Sequence, residues 1–551
     1  PLLVLLIGCK KEEKVEEEVP DARFSLESPA PAAFLATGDN EAAGEAENVE
    51  KLTVQGQTVK PEDGGFSTQI VLERGVSLVE ATAVDLHGDT LLARNGVLAG
   101  EFGKPEERVE DAVLLRLNQA GLDKLEEVVE AAVTPEVLNG AMGGMNPIYE
   151  YVVDVWGWEA GALYVDLVSV DFTGVDVQIE PGGGNLELVL TLENLDVALY
   201  AYGSALGIDL NATMGMGADE AVITATIAGG ATEDGGLAIE LLNTDVSLNG
   251  FWYDLSFIPS ILTDYILVDT IAGTVEGMLV DQITTMVPPL VEQTLAGLAP
   301  SVTTTLLDRE VTMSYGFREL EIDDDGLAIS LDLGVDITGD VTKSSPGYLL
   351  APYAEPTISH HAEVAGAISD DLMNRVLYEA WRVGMLDMTL STADGSLDAF
   401  MLSPLHATSG SISTRADLPP VIIGVDGKIQ VQLGEMFVRI ETDDSDLGSY
   451  LELALTVKAD LDLRIEGGKL VLDLGEPVIG MIVRDSDWGA SDEATTKLVE
   501  ESLPIDLILA LLGNLSFDLP SLYGITIDEG QAERDGGNSH TDVTLGLGVA
   551  N

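Results

Sequence analysis

Residues 450 to 475, YLELALTVKADLDLRIEGGKLVLDLG, alternate with a period of two. Leu451, Leu453, Leu455, Val457, Ala459, Leu461, Leu463 and Ile465 fall on one side, and Glu452, Thr456, Lys458, Asp460, Asp462 and Arg464 on the other. Successive side chains of a strand point to opposite faces, so this is one apolar face backed by a charged one. At about 3.3 Å per residue the segment before Gly467-Gly468 reaches roughly 50 Å, more than twice an ordinary strand. Such a strand needs an equally long apolar partner. The sheet that holds it must therefore be strongly bent or closed around an oily interior. NLELVLTLENLDVALYAYG (185–203) repeats the pattern, with Leu186, Leu188, Leu190 and Leu192 on one face.

Three stretches break the alternation with helical spacing. In AVLLRLNQAGLDKLEEVVEAAV (112–133) a strand over Val113 to Leu117 ends near Gly121, and Leu122, Leu125, Val128, Val129 and Ala132 then share a helix face. In residues 261–298, Ile271, Val275, Leu279, Ile283 and Met286 form a stripe that Pro288-Pro289 should interrupt or kink. In SDDLMNRVLYEAWRVGMLDMTL (369–390), Met373, Val376, Leu377, Ala380 and Trp381 lie on one face, with Asp371, Asn374, Arg375, Tyr378 and Arg382 opposite. Ser369 is placed to cap that helix and Gly384 to end it.

With 551 residues, two to four domains are expected, and 46% apolar residues suffice for real cores. Lys plus Arg total 26 against 95 Asp plus Glu, a net charge of −69. That balance excludes nucleic acid as a partner and disfavours docking on anionic membranes through basic patches. The single cysteine, Cys9, ends the apolar opening PLLVLLIGCKK, which resembles a bacterial lipoprotein lipobox. The resemblance implies a truncated signal over 1–9 and acylation at Cys9. The chain would then be exported and held by lipid at the bacterial envelope, on the outer membrane or cell surface. No other apolar run is long enough to span a membrane. The Glu-, Ala- and Pro-rich residues 10–48 read as a disordered acidic linker. Residues 49–102, with short strands between turn residues, resemble small bacterial immunoglobulin-like modules.

From residue 104 onward the order of elements resembles one family. LLRLNQAGLDKLEEVVEAAV at the start, PGYLLAPYAEP followed by AISDDLMNRVLYEAWRVGMLDMTL in the middle, and LPIDLILALLGNLSFDLPSLYGITIDEG at the end carry the resemblance. The family is that of bactericidal/permeability-increasing protein, lipopolysaccharide-binding protein and the cholesteryl ester and phospholipid transfer proteins. The resemblance implies an α+β fold: two elongated, twisted antiparallel barrels with amphipathic helices, joined by a central sheet in a boomerang. The first barrel would cover 104–310, and the central sheet with the second barrel 311–551. Two departures stand out. The chain lacks the cysteines for the disulfide of vertebrate members, and Lys104, Arg108, Arg116 and Lys124 are outnumbered by acids where some members are basic.

No nucleophile elbow, HExxH or phosphate-binding loop is present, so an enzyme is not expected, nor a cofactor. His360-His361 beside Glu363 would point apart in a strand. The acidic segments 321–332 and 441–448 fit hairpin turns better than calcium loops, because no flanking helices accompany them. The family resemblance implies that phospholipid or other acyl chains fill the barrels. Candidates to line the first pocket are Leu122, Leu125, Val129, Leu279, Ile283 and Met286, and for the second Met373, Val376, Leu377 and Trp381. Each is equally suited to plain core packing. The alternative is an anchored scaffold or adhesin whose barrels are closed.

Overall fold

The long alternating segment is the strand Tyr450–Glu466, and Leu451, Leu453, Leu455, Val457, Ala459 and Leu461 are all buried. The computed structural model describes residues 21–488, apart from 156–157, 261, 263–267, 297–301, 307–308, 353–357, 359–363, 426 and 467–468. It also describes strands Ser516–Asp518, Ile525–Arg534 and His540–Val549. The protein is α+β, mostly strand, with four α-helices among the described residues: α1 Gln119–Ala132, α2 Pro135–Met142, α3 Val268–Ala296 and α4 Asp370–Arg382.

Tyr450–Glu466 belongs to a 15-stranded sheet that crosses most of the molecule. Its path runs Arg309–Asp323, Gly326–Ile337, Val109–Asn118, Val364–Ser369, His540–Val549, Ile525–Arg534, Tyr450–Glu466 and Lys428–Thr442, every neighbour antiparallel. The seam expected at 310/311 falls inside this sheet, and Val109–Asn118 lies at its middle between two strands from beyond residue 325. Alternation reports which face of a strand is buried, not which strand it will pair with, so a boundary drawn from it had no hold on this pairing.

A second, seven-stranded sheet curls over residues 149–254. Its central pair, Asn185–Ala205 and Ile208–Ala231, is 21 and 24 residues long and stays in register from Leu186↔Ile227 to Ala205↔Ile208. Leu186, Leu188, Leu190 and Leu192 are buried on its inner face with Met214, Met216, Ile223 and Ile227. α3 runs unbroken through Pro288 and Pro289. The prolines remove backbone donors, yet Val287, Pro288 and Val291 are buried around the site, and that packing holds the helix together.

Residues 21–48 are not a disordered linker. Arg23–Phe24, Ala33–Leu35 and Gly38–Glu47 complete a two-sheet sandwich with the strands between residues 49 and 99. GDNEAAGEAE is poor in large apolar residues, but in a strand its Ala42 and Ala46 turn inward while its acids stay out. Gly44 has no room for a side chain: a Cβ there would sit 2.0 Å from the Ser25 carbonyl oxygen. Asn95, itself buried, donates to the Leu26 and Pro29 carbonyls and ties the first residues down.

This sandwich is docked rather than strung on a tether. Val76, Leu98, Leu349, Leu418, Val421 and Ile423 form one apolar cluster across the junction. Val76 N–H donates to Gln432 Oε1 at 2.7 Å, and Gly96 N–H donates to Glu435 Oε1. Glu435 sits at a bulge in Lys428–Thr442 with φ 46°, next to Gly434, where a Cβ would fall 2.5 Å from Val76 Cγ1. Burial raises the Glu435 carboxyl above its ordinary value, opposed by the Gly96 amide and by Arg484.

α4 also departs from expectation. Its apolar stripe is buried apart from the half-buried Met373, but so are Asn374, Arg375 and Tyr378 on the supposedly polar side, and Glu379 with them. The helix is threaded through the junction of sandwich, central sheet and strand Val421–Val425. Trp381 Nε1 donates to the Ala416 carbonyl at 2.7 Å, and its ring meets Phe34 of the sandwich at 6.4 Å and Tyr378 at 5.7 Å. Arg375 and Arg382 flank the buried Glu379 at 2.8 and 2.7 Å. Periodicity cannot tell a polar face turned to water from one turned to polar partners.

Candidate functional site

Of the outer strands of the curled sheet, Tyr149–Val155, Gly174–Gly182, Leu237–Asn249 and Trp252–Asp254, two have a helix lying along them: α1 along Gly174–Gly182 and α3 along Leu237–Asn249. On α1, Glu126 Oε1 accepts from Ile179 N–H at 2.6 Å and Glu130 Oε1 from Val177 N–H at 3.1 Å. On α3, Glu292 Oε1 accepts from Ile239 N–H at 2.8 Å. An open sheet edge leaves amides that demand acceptors, and here helix carboxylates supply them where a closed barrel would use another strand. Burial raises the Glu126 carboxyl, with the Ile179 amide pulling it back down. Among the described residues, the result is a curled sheet with a helix seamed by side chains to two of its outer strands.

Leu122, Leu125 and Val129 from α1 and Leu279 and Ile283 from α3 are buried in one cluster with the inner face of the sheet, and Met286 is half-buried against it. The structure thus brings the six candidates for the first pocket together. Among the described residues it does not gather Met373, Val376, Leu377 and Trp381 around a second one: Val376, Leu377 and Trp381 join that same cluster through α4, with Met373 packed on it. The apolar core of the far half is separate, built from Leu397, Leu402, Leu405, Leu433, Leu453 and Trp488 among others.

A cleft of about 330 Å³ lies where α3 ends, lined by Gly236, Leu237, Pro289, Glu292, Gln293, Ala296 and Phe317. It sits beside the Glu292–Ile239 seam, with apolar Leu237, Pro289 and Phe317 on its walls. That volume is at the lower end of small-molecule pockets.

The carboxylates on the seams were not anticipated. Their signal was present: Glu126 and Glu130 are four apart on the helix, flanking the apolar stripe at its boundary. The acidic segment 321–332 forms a hairpin turn, in which Asp323 accepts from Asp325 N–H, Gly326 N–H and Arg116. Asp444 of the second segment accepts from Thr408 and Ser409 N–H. Among the described residues no cluster of three or more His, Cys, Asp or Glu is gathered to hold a metal, and no helix is long and apolar enough to cross a membrane. Cys9, His360-His361 with Glu363, and most of the closing segment 503–530 lie outside the described residues.

No family model matches the chain, and no curated protein matches it in sequence. Among solved structures it is similar to lipopolysaccharide-binding protein at 13% identity and a TM-score of 0.44, over 80% of this chain and 100% of that one. It is also similar to fibronectin(III)-like modules of Clostridium thermocellum CbhA at 11% identity and a TM-score of 0.13, over 34% of this chain and 90% of that one. At these values neither likeness says what this chain binds.

Proposed function

We propose that the helix-closed sheet binds an acyl lipid, with hydrocarbon between α1, α3 and the inner face and the polar head near the cleft at Leu237 and Phe317. One observation carries the reading: two outer strands of the curled sheet are capped by three carboxylates on helices, not by a continuous strand ladder. Such a seam holds fewer hydrogen bonds than a strand ladder, so opening it to admit a guest chain costs less. Burying hydrocarbon contributes about 0.8 kcal/mol per CH₂ without directional chemistry, so broad tail specificity is expected. The reading extends to a non-enzymatic lipid carrier with two elongated tubes, related to the lipopolysaccharide-binding and lipid-transfer proteins. It would carry an immunoglobulin-like sandwich and be anchored at the bacterial envelope through acylated Cys9. The test is organic extraction of the Cys9→Ser chain, purified without an anchor, followed by mass spectrometry. Stoichiometric phospholipid or fatty acid supports the proposal, and an empty extract favours a closed scaffold.

A further inference from the structure

We propose that the free edge of strand Gly65–Leu72, on the sandwich, takes up an extended basic segment of another protein as an added β-strand. The proposal stands apart from the lipid site.

The sandwich meets the central sheet through Gly75–Asp85 and Thr90–Ala99, which belong to one of its two sheets. The other sheet runs Arg23–Phe24, Gly38–Glu47, Gly65–Leu72 and stops there. Hydrogen bonds in an antiparallel pair alternate along each strand. Ser25 N–H donates to the Glu45 carbonyl and Glu27 N–H to the Ala43 carbonyl, so the odd-numbered residues of Gly38–Glu47 bond on that side. The even-numbered ones bond to Gly65–Leu72, with Gly44 opposite Phe66, Ala42 opposite Thr68 and Asn40 opposite Ile70. The backbone N–H and C=O groups of Ser67, Gln69 and Val71 therefore point off the sheet, and among the described residues nothing receives them. Val71 is 71% exposed.

Native edges are usually blunted by charge, by proline or by a cover. This molecule covers others: Glu126, Glu130 and Glu292 cap two strands of the curled sheet, and Asn374 caps Val421–Val425. The edge strand GFSTQIVL has no charged residue, no proline and no cap. A bare edge of this kind is what a β-strand ligand pairs with.

The charge beside the edge selects the partner. On the outer face Glu41 lies opposite Gln69, Asp39 opposite Val71 and Glu45 opposite Gly65, and all three acids are exposed. An added strand would place its outward side chains about 10 Å from that row, two strand spacings away, where Lys and Arg reach toward the carboxylates. Its inward side chains would extend the apolar layer of Phe66, Ile70 and Leu72, which favours apolar residues at alternate positions. A second copy of this chain is a poor fit, because each carries a net charge of −69.

The probe is a fluorescein-labelled peptide of alternating lysine and valine, added to the full-length Cys9→Ser chain at physiological salt. Anisotropy should rise on binding, and amide exchange at Ser67, Gln69 and Val71 should slow about tenfold or more. The same peptide with N-methylated valines keeps its charge but loses its pairing donors, and should bind about tenfold more weakly. Gln69→Pro removes an N–H that points off the sheet, so it should weaken binding equally and keep its melting temperature. A peptide with glutamate in place of lysine should not bind. Equal binding by the methylated peptide or by Gln69→Pro, unchanged exchange at the three edge amides, or dimerisation of the chain through this edge would overturn the proposal.

Discussion

The side chain of Asn374 and the backbone of Ile422 form a reciprocal pair: Ile422 N–H donates to Asn374 Oδ1 at 2.6 Å, and Asn374 Nδ2 donates back to the Ile422 carbonyl at 3.0 Å. The same amide also donates to the Leu349 carbonyl at 3.0 Å. A helix residue thus substitutes for the missing neighbour of strand Val421–Val425, in a place where Asn374 is 1% exposed. Asn374→Leu should strip three buried backbone groups of partners and destabilise the protein by about 2–4 kcal/mol. Chemical denaturation of both proteins measures it, and a shift below half a kcal/mol would contradict the pairing.

The seams of the curled sheet make a separable prediction. Glu126→Ala with Glu130→Ala should expose the Val177 and Ile179 amides and destabilise by about 1–3 kcal/mol, read as faster hydrogen exchange at those two residues. The Gln versions keep an acceptor and should exchange nearly as slowly as the parent.

Acid should stabilise the junction before it unfolds it. Burial pushes Asp371 up to about 6, with the Ala351 amide and Arg74 opposing. Its ordinary value of 3.8 lies below that, so between those values the folded form binds more protons. Its contribution to stability therefore rises as pH falls from about 7 to 4, by at most about 3 kcal/mol. Asp323 has the opposite sign: Arg116 holds it down at about 2, so its stabilisation is lost as pH falls from about 4 to 2. That loss is smaller, because the carboxylate is 41% exposed. Melting temperature against pH should rise and then fall, and Asp371→Asn should flatten the rising limb.

Gly434→Leu should drive the sandwich off the central sheet, since even a Cβ there meets Val76. Small-angle scattering should show a larger radius of gyration, and proteolysis should release the sandwich intact. An unchanged radius would mean that the junction tolerates the bulk.

The alternation of Leu451 to Leu461 and the stripes of α1 and α3 were legible because burial of one face leaves a period in the sequence. What escaped was whatever depends on a distant partner. Ala42 and Ala46 looked like linker because small inward residues give little hydrophobic signal. Asn374 and Arg375 looked solvated because a polar side chain carries no mark of whether water or a buried partner receives it. Glu126 and Glu130 had the right spacing, but nothing local named the strand they would cap.

The position of His540–Val549 in the central sheet bears on how the molecule is made. It pairs with Val364–Ser369, which in turn pairs with Val109–Asn118. A ribosome must deliver residues 540–549 before that slot is occupied. Until then Val364–Ser369 presents a bare edge, the sort of template on which nascent chains stick to one another. Assembly therefore waits on a strand made long after its neighbour, and a protein truncated before residue 540 should accumulate as aggregate.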